Sequence, residues 1–404
     1  MWEEIKNKLE AFGQMHLLKF VHELSEAEKK SFFSQLSDLD FSILDYDSNE
    51  CRRGNIEPIP AMSISESKKN KDRFKKIGLE AIQNGKVGAV LLAGGQGSRL
   101  GFEKPKGMFN IGVSRELYIF ECLINNLLKV VREADAWIPL FIMTSVQNND
   151  DTINFLEKHN YFGYDKNCVF FFVQEQLPTV DTNGKLMLAE KGKVSAAPNG
   201  NGGWYSSLVK SDAYKYLKSS GIEWINVFAV DNVLQKIADP YFIGAVIDTG
   251  MMCGSKVVAK AAPEERVGVM CLEDGKPSIV EYFEMTDDML QCRENDGRLS
   301  YNYGVILNYL FKVSELDKIV GINLPLHKAF KKISYIDETG NIITPEEPNA
   351  YKYETLVLDM VKPQKNCLVF EVERIHEFAP VKNKTGVDSV DTARKLLKLN
   401  NIEI

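Results

Sequence analysis

Val87-Gly88-Ala89-Val90-Leu91-Leu92-Ala93-Gly94-Gly95-Gln96-Gly97-Ser98-Arg99-Leu100-Gly101 decides how the chain reads. Its first six residues form an unbroken apolar run, and glycines end it. A strand buried on both faces has that pattern, because a parallel sheet is covered by helices on each side. Glycines after such a strand let the backbone approach a phosphate with its N–H groups pointing inward. Two sharper motifs do not fit. A dinucleotide fingerprint needs G-x-G-x-x-G, but after Gly95 and Gly97 the third position holds Leu100. A P-loop needs G-x-x-x-x-G-K-[ST], but Gly85-Lys86 is followed by Val87 and precedes the strand. What sets this loop apart is Arg99 within it and Lys106 in Pro105-Lys106-Gly107. Two cations beside a backbone anion cradle suit a triphosphate whose pyrophosphate must leave.

Outward from this stretch, strands and helices alternate. A helix is expected over 117–131 with Ser114 as its cap, a strand over 138–143, a helix over 151–158 and a strand over 169–174. A helix over 209–217 precedes a strand over 224–230 that ends at Asp231-Asn232. Asp239-Pro240 opens a further helix, with proline in its first turn. The alternation implies an α/β fold with a doubly wound, mostly parallel sheet. Upstream, residues 1 to about 45 read as helices, with a capping box at Ser25-Glu26-Ala27-Glu28. Residues 68–83 read as one charged helix that Gly85 ends. Downstream, 267–272 and 278–283 form a hairpin about Asp274-Gly275, 367–372 is a strand and 390–399 a closing helix. The expected organisation is a helical region over 1–84, a nucleotide- and sugar-binding α/β domain over 85–330 and a short portion over 331–404 that completes the site.

Composition limits the partners. The chain has 404 residues, 44% hydrophobic and 26% charged, which is globular. Its net charge of −7 gives no bulk attraction for nucleic acid or anionic membrane. An anionic substrate must therefore meet a few placed lysines and arginines. Seven scattered cysteines (Cys51, Cys122, Cys168, Cys253, Cys271, Cys292 and Cys367) contain no C-x-x-C, so a reduced, cytoplasmic chain is expected. Met1-Trp2-Glu3-Glu4 is acidic where a signal peptide is basic, and no apolar run reaches the ~18 residues of a membrane span.

Other candidates lie along the chain. Gln174 ends a strand, where a side-chain amide can pair with both a donor and an acceptor on a base edge. Asp231 stands at the carboxyl end of a strand, where ligands bind in open α/β sheets, and offers a hard oxygen fit for Mg²⁺. The cluster Ala197-Pro198-Asn199-Gly200-Asn201-Gly202-Gly203 suits a close ligand approach.

The loop Gly94-Gly95-Gln96-Gly97-Ser98-Arg99-Leu100-Gly101, followed by Pro105-Lys106-Gly107, closely resembles the eukaryotic-type UDP-N-acetylhexosamine (UDP-N-acetylglucosamine) pyrophosphorylases. These enzymes make UDP-N-acetylglucosamine from UTP and N-acetylglucosamine 1-phosphate. The likeness runs from about Gly13-Gln14-Met15-His16 to about Thr392-Ala393-Arg394. It implies a nucleotidyltransferase fold, Mg²⁺ on Asp231, Arg99 and Lys106 on the triphosphate, and Lys382 on the attacking phosphate. It also implies that Gly94, Gly95, Gln174, Gly200 and Asn201 bind the nucleotide, and that Gly268, Glu281 and Asn302 contact the sugar. Three departures stand out. The relatives' paired aromatics before an aspartate are Leu356 and Leu358 here, before Asp359. Their Asn-Ala-Gly-Asn reads Asn302-Tyr303-Gly304-Val305. The C-terminal β domain of longer members is expected to be absent. The expected partners are two small-molecule substrates, with no nucleic acid and no membrane; the sequence leaves the oligomeric state open, a monomer being favoured. A non-catalytic sugar-nucleotide regulator would keep Gln174 and the glycines but could lose Arg99, Lys106 or Asp231; all three are present.

Overall fold

The computed structural model describes residues 2–46, 53–322 and 324–404. The chain forms two compact units, each discontinuous in sequence: Met1–Arg52, Glu175–Gly203 and Asn323–Leu356 make one, and Arg53–Gln174, Trp204–Ile322 and Val357–Ile404 the other. Their limits do not coincide with breaks at 84/85 and 330/331.

The larger unit is built on a ten-stranded sheet. In chain order its strands are β1 (Ile56–Pro58), β2 (Val87–Leu92), β3 (Leu140–Thr144), β4 (Val169–Val173), β5 (Trp224–Ala229), β6 (Cys253–Ala259), β7 (Val269–Glu273), β8 (Lys276–Val280), β9 (Tyr303–Lys312) and β10 (Leu368–Glu371). The order across the main path is β1-β7-β9-β5-β2-β3-β4. β5, β2, β3 and β4 are mutually parallel, while β9 runs antiparallel to β5 and β6. β2, β3 and β5 are buried at every position, as the apolar runs require. After β2 the chain steps outward to β3 and β4, then returns to the other side of β2 as β5. The strand order therefore reverses between β2 and β5, and a ligand crevice opens at the carboxyl ends of such a pair.

Local chemistry explains the helix limits. The helix after β2 spans Ile119–Ala134 and starts after Tyr118, whose N–H donates to Glu121 Oε2 at 3.4 Å, not at Ser114, whose N–H instead donates to the Ile404 carbonyl at 2.9 Å. Its ten buried residues, most of them large and apolar, are worth roughly 1.5–3 kcal/mol each when fully buried. The expected 68–83 helix is two, Ile64–Lys69 and Lys71–Gln83, broken at Asn70. The 209–217 segment is likewise two short helices, Trp204–Val209 and Ala213–Ser219. The 267–283 hairpin turns at Asp274 and Gly275, both with positive φ (51° and 74°), as a two-residue primed turn demands.

In the smaller unit, helices Trp2–Ala11 and Glu26–Asp38 pack with 3₁₀ turns at Met15–Leu18 and Val21–Glu23, where longer helices were expected. The Ser25–Glu28 capping box is formed as read. Short strands from 176–198 and 327–354 complete this unit. Among the described residues, no helix is long and apolar enough to cross a membrane. Cys122, Cys168, Cys253, Cys271, Cys292 and Cys367 are free thiols, and Cys51 lies outside the described residues.

Candidate active site

The parallel register sets the site. Ala229 of β5 lies beside Leu92 of β2, and Leu92 beside Met143 of β3. The glycine loop, Ser145, Gln174 and Asp231 thus all leave the same edge of the sheet. Asn148 secures the loop's root: its amide N–H donates to the Ala93 carbonyl at 3.0 Å and its Oδ1 accepts the Ser145 N–H at 2.7 Å.

The loop folds back on itself. Gly97 N–H donates to Lys104 O at 2.9 Å, Lys106 N–H to Gly95 O at 3.2 Å, and Gln96 bridges Pro105. Gly94 packs against Gln174, and a Cβ on Gly94 would stand 2.7 Å from Gln174 Oε1. Glycine is needed there because the Gln174 amide and the strand-end backbone share one space. A Cβ on Gly95 would meet nothing within 4 Å, so that backbone faces open room.

Folding the loop back carries Lys106 to Asp231, with Nζ 3.8 Å from Oδ2. The Lys106 side chain is 15% exposed and that of Asp231 25%. Burial pushes the Lys106 ammonium below its ordinary pKa; the fields of Lys382 and Arg99 add to the depression and Asp231 opposes it. Four predicted residues distant in sequence thus form one electrostatic group. Lys382 arrives because Val381 N–H donates to the Asp231 carbonyl at 2.9 Å, and its Nζ rests 3.0 Å from Asp388 Oδ2. As a cation ligand, Asp231 is a single hard carboxylate. Among the described residues no cluster of three or more His, Cys, Asp or Glu could hold a metal. That donor set fits an ion such as Mg²⁺, which takes one or two carboxylates and completes its shell with phosphate oxygens and water.

The sugar candidates are less concentrated. Gly268 and Glu281 face each other across the hairpin: a Cβ on Gly268 would lie 3.1 Å from Ile279 Cγ2 and 3.6 Å from Glu281 Oε2. Asn302 accepts the Lys260 N–H with its carbonyl at 2.9 Å and lines a cavity of about 390 Å³ with Pro58, Ile59, Pro60 and Arg298. Gly268 and Glu281 do not line that cavity. Leu358 is buried in a 3₁₀ turn, Val357–Met360, whose Met360 sulfur accepts the Trp204 indole N–H at 3.0 Å. In the smaller unit, Gly200 has φ +85°, and a Cβ there would meet the Thr355 carbonyl oxygen at 2.1 Å. The segment from Asn199 through Asn201 is laid against 354–356, with Thr355 N–H donating to Asn199 O at 2.7 Å, which brings Leu356 beside Gly202.

Sequence reading passed over Asn148, Asn232, Lys256 and Asp388. Lys256 carried a signal, a charged residue inside the apolar run of β6; Asp388 carried none.

A reversal of strand order flanked by a folded-back glycine loop, with a lysine–aspartate pair and two further cations acting on that lysine, is the arrangement of a nucleotidyltransferase-type α/β protein. The profile of the UTP–glucose-1-phosphate uridylyltransferase family matches residues 32–400, and the chain belongs to that family. It is 35% identical to the mouse UDP-N-acetylhexosamine pyrophosphorylase-like protein 1 over 98% of this chain and 83% of the relative. It is 34% identical to the Saccharomyces cerevisiae UDP-N-acetylglucosamine pyrophosphorylase over 97% and 85% respectively. The crystal structure of the Trypanosoma brucei uridine diphosphate N-acetylglucosamine pyrophosphorylase, in complex with an inhibitor, superposes with a TM-score of 0.83 at 28% identity, covering 97% of this chain and 83% of that one.

Proposed function

We propose that this chain is a UTP:N-acetylglucosamine-1-phosphate uridylyltransferase, forming UDP-N-acetylglucosamine and pyrophosphate. The observation that carries this reading is the Lys106–Asp231 pair at the reversal point of the sheet, with Arg99 and Lys382 close enough to act on the Lys106 charge. The names of the mouse and yeast relatives support the sugar.

An oxygen of the sugar phosphate attacks the α-phosphorus of UTP in line with the bond to pyrophosphate, which leaves with the electron pair. The attacking oxygen is already anionic, so no general base is required. Catalysis is then positioning and charge stabilisation. Arg99, Lys106 and the N–H groups at Gly94 and Gly95 hold the triphosphate, and Lys382 steadies the attacking phosphate. Asp231 would hold Mg²⁺, which when bound would neutralise charge on the phosphates. Gln174 reads the uracil edge, with Gly200 and Asn201 approaching the base and the sugar. Gly268, Glu281 and Asn302 contact the sugar, while Leu356 and Leu358 give the N-acetyl methyl an apolar wall. The protein works as a cytoplasmic monomer on small-molecule substrates.

The test is product formation from UTP, N-acetylglucosamine 1-phosphate and Mg²⁺, followed by phosphorus NMR. One UDP-N-acetylglucosamine should form for each pyrophosphate. UTP hydrolysis without a sugar nucleotide, or no turnover, contradicts the reading.

A further inference from the structure

β6 is buried at six of its seven positions, and Lys256 sits at its centre with a side chain 0% exposed. An ammonium so placed is costly unless it is paired. Its Nζ donates to Asp239 Oδ2 at 2.7 Å and to Glu377 Oε2 at 2.6 Å, both carboxylates being 5% exposed. Lys236 Nζ stands 3.4 Å from the other Glu377 oxygen, so two cations balance two anions. Burial lowers the Lys256 pKa, but the two carboxylates outweigh it and the net shift is upward.

The connections of this group explain its place. Asp239 ends the loop that begins at Asp231 and caps the Pro240–Asp248 helix by accepting the Tyr241 N–H at 3.1 Å. Ala238 before it, at φ 48°, donates its N–H to Asn226 Oδ1 of β5 at 2.7 Å. Glu377 opens the segment that ends at Lys382. Between the two ends, Asn232 Nδ2 donates to Glu377 O at 2.7 Å, Ala379 N–H donates to Asn232 Oδ1 at 2.9 Å, and Val381 N–H donates to Asp231 O at 2.9 Å. The Asp231 loop and the Lys382 segment therefore form a ring, closed on one side by these bonds and on the other by the buried Lys256 ammonium, with the more exposed Lys236 beside it on Glu377.

We infer that Lys256 is a positioning residue: through Asp239 and Glu377 it fixes the spacing between Asp231 and Lys382. This rests on the roles proposed above for those two residues. Lys256 touches no substrate. Its loss acts through the placement of two groups that must meet the same reacting phosphates, and displacements of about 1 Å can cost about a hundredfold in rate.

Glu377→Gln keeps the shape and one acceptor oxygen while removing a charge; Lys256→Met removes the hub and leaves Asp239 without its ammonium and Glu377 with Lys236 alone. Backbone amide exchange is followed in ligand-free protein with EDTA, so that the readout is independent of turnover. In Glu377→Gln, the Ala379 and Val381 amides should exchange about tenfold faster while those of β5 stay unchanged. With substrates and Mg²⁺, kcat should fall about tenfold with the KM for UTP nearly constant. Unchanged exchange at Ala379 and Val381 overturns the inference, and so does equal acceleration across the whole sheet, which marks a general stability role. If Lys256→Met does not fold, Glu377→Gln decides. Asp231→Asn is assayed alongside. Full turnover there removes the site reading itself, whereas an inactive Asp231→Asn with unaltered exchange in Glu377→Gln removes only the role of Lys256.

Discussion

Asp231 leaves a strand that is buried at all six positions and paired on both sides, while Glu281 follows β8, whose first residue is exposed and which, among the described residues, pairs only with β7. The two residues belong to one sheet and are proposed for one reaction, yet they are held by different means. The backbone that carries Asp231 is held by parallel register, by Asn232 and by a buried ion group. Around Glu281 there is a two-stranded hairpin with a tight turn, seated on an Arg53–Glu273–Glu284 network. Glu284 accepts the Glu281 N–H at 2.9 Å, and Arg53 donates to both Glu284 and Glu273. Charge develops on the phosphates, so errors of placement are punished there. Sugar preference is a difference between similar affinities, and a rim built on a hairpin can be altered one side chain at a time.

The largest expected effect lies on the rigid side. Asp231→Asn should lower kcat more than about a hundredfold at ordinary Mg²⁺, about 2.7 kcal/mol or more, with the fold intact by circular dichroism. Near-normal turnover would take Asp231 out of the site. Arg99→Ala and Lys106→Ala should each lower kcat about ten- to a hundredfold with little change in the KM for the sugar phosphate. If only that KM rises, both cations belong to the sugar side and the comparison is inverted.

The third expectation concerns stability beneath the rim. Burial raises the Glu273 carboxyl, but Lys362, the Gly54 N–H, Ser278 and Arg53 outweigh it and hold its pKa at about 2. A carboxyl depressed in the folded state stabilises above its unfolded pKa, near 4.5, and loses that contribution as pH falls toward about 2. The size is on the order of 3 kcal/mol at about 1.4 kcal/mol per pH unit. Urea unfolding of Glu273→Gln should show lower stability at pH 7 and a flatter slope between pH 4.5 and 2; an unchanged slope would leave Glu273 with no part in holding the rim. The smallest effect is at Leu358. Leu358→Phe should change the preference between N-acetyl and N-butyryl glucosamine 1-phosphates several-fold, about 1 kcal/mol. Identical ratios in both proteins would make Leu358 a core leucine only.

The same contrast governs what could be read from sequence. β2, β3 and β5 were legible because short, mostly apolar runs closed by small or polar residues suit buried strands, and the glycine loop with Arg99 and Lys106 went with β2. The 390–399 helix matches its prediction residue for residue, because a serine cap precedes a clear 3.6-residue period. What was hidden depends on partners remote in sequence. Ser114 looked like a cap, but the Ile404 carbonyl is its partner. The break at Asn70 follows from a capping box at Ser63 that starts a separate short helix. Lys382 reads as a surface lysine until the Asp231 carbonyl anchors its segment, and nothing near Leu358 in sequence announces the 3₁₀ turn around Met360 that holds it.

The most direct test is a matrix of pyrophosphate release, with UTP, CTP and ATP each paired with N-acetylglucosamine, N-acetylgalactosamine and glucose 1-phosphates, run on the native protein and on Gln174→Ala. An amide that pairs with a base edge leaves a buried polar group unmatched when the wrong base arrives, whereas a partly open sugar rim discriminates by smaller contacts. The expected result is UTP preferred by about a thousandfold or more, a graded series of sugars led by an N-acetylhexosamine, and loss of the base preference alone in Gln174→Ala. Equal use of UTP and CTP by the native protein, or glucose 1-phosphate used as well as the N-acetylated sugars, would contradict it.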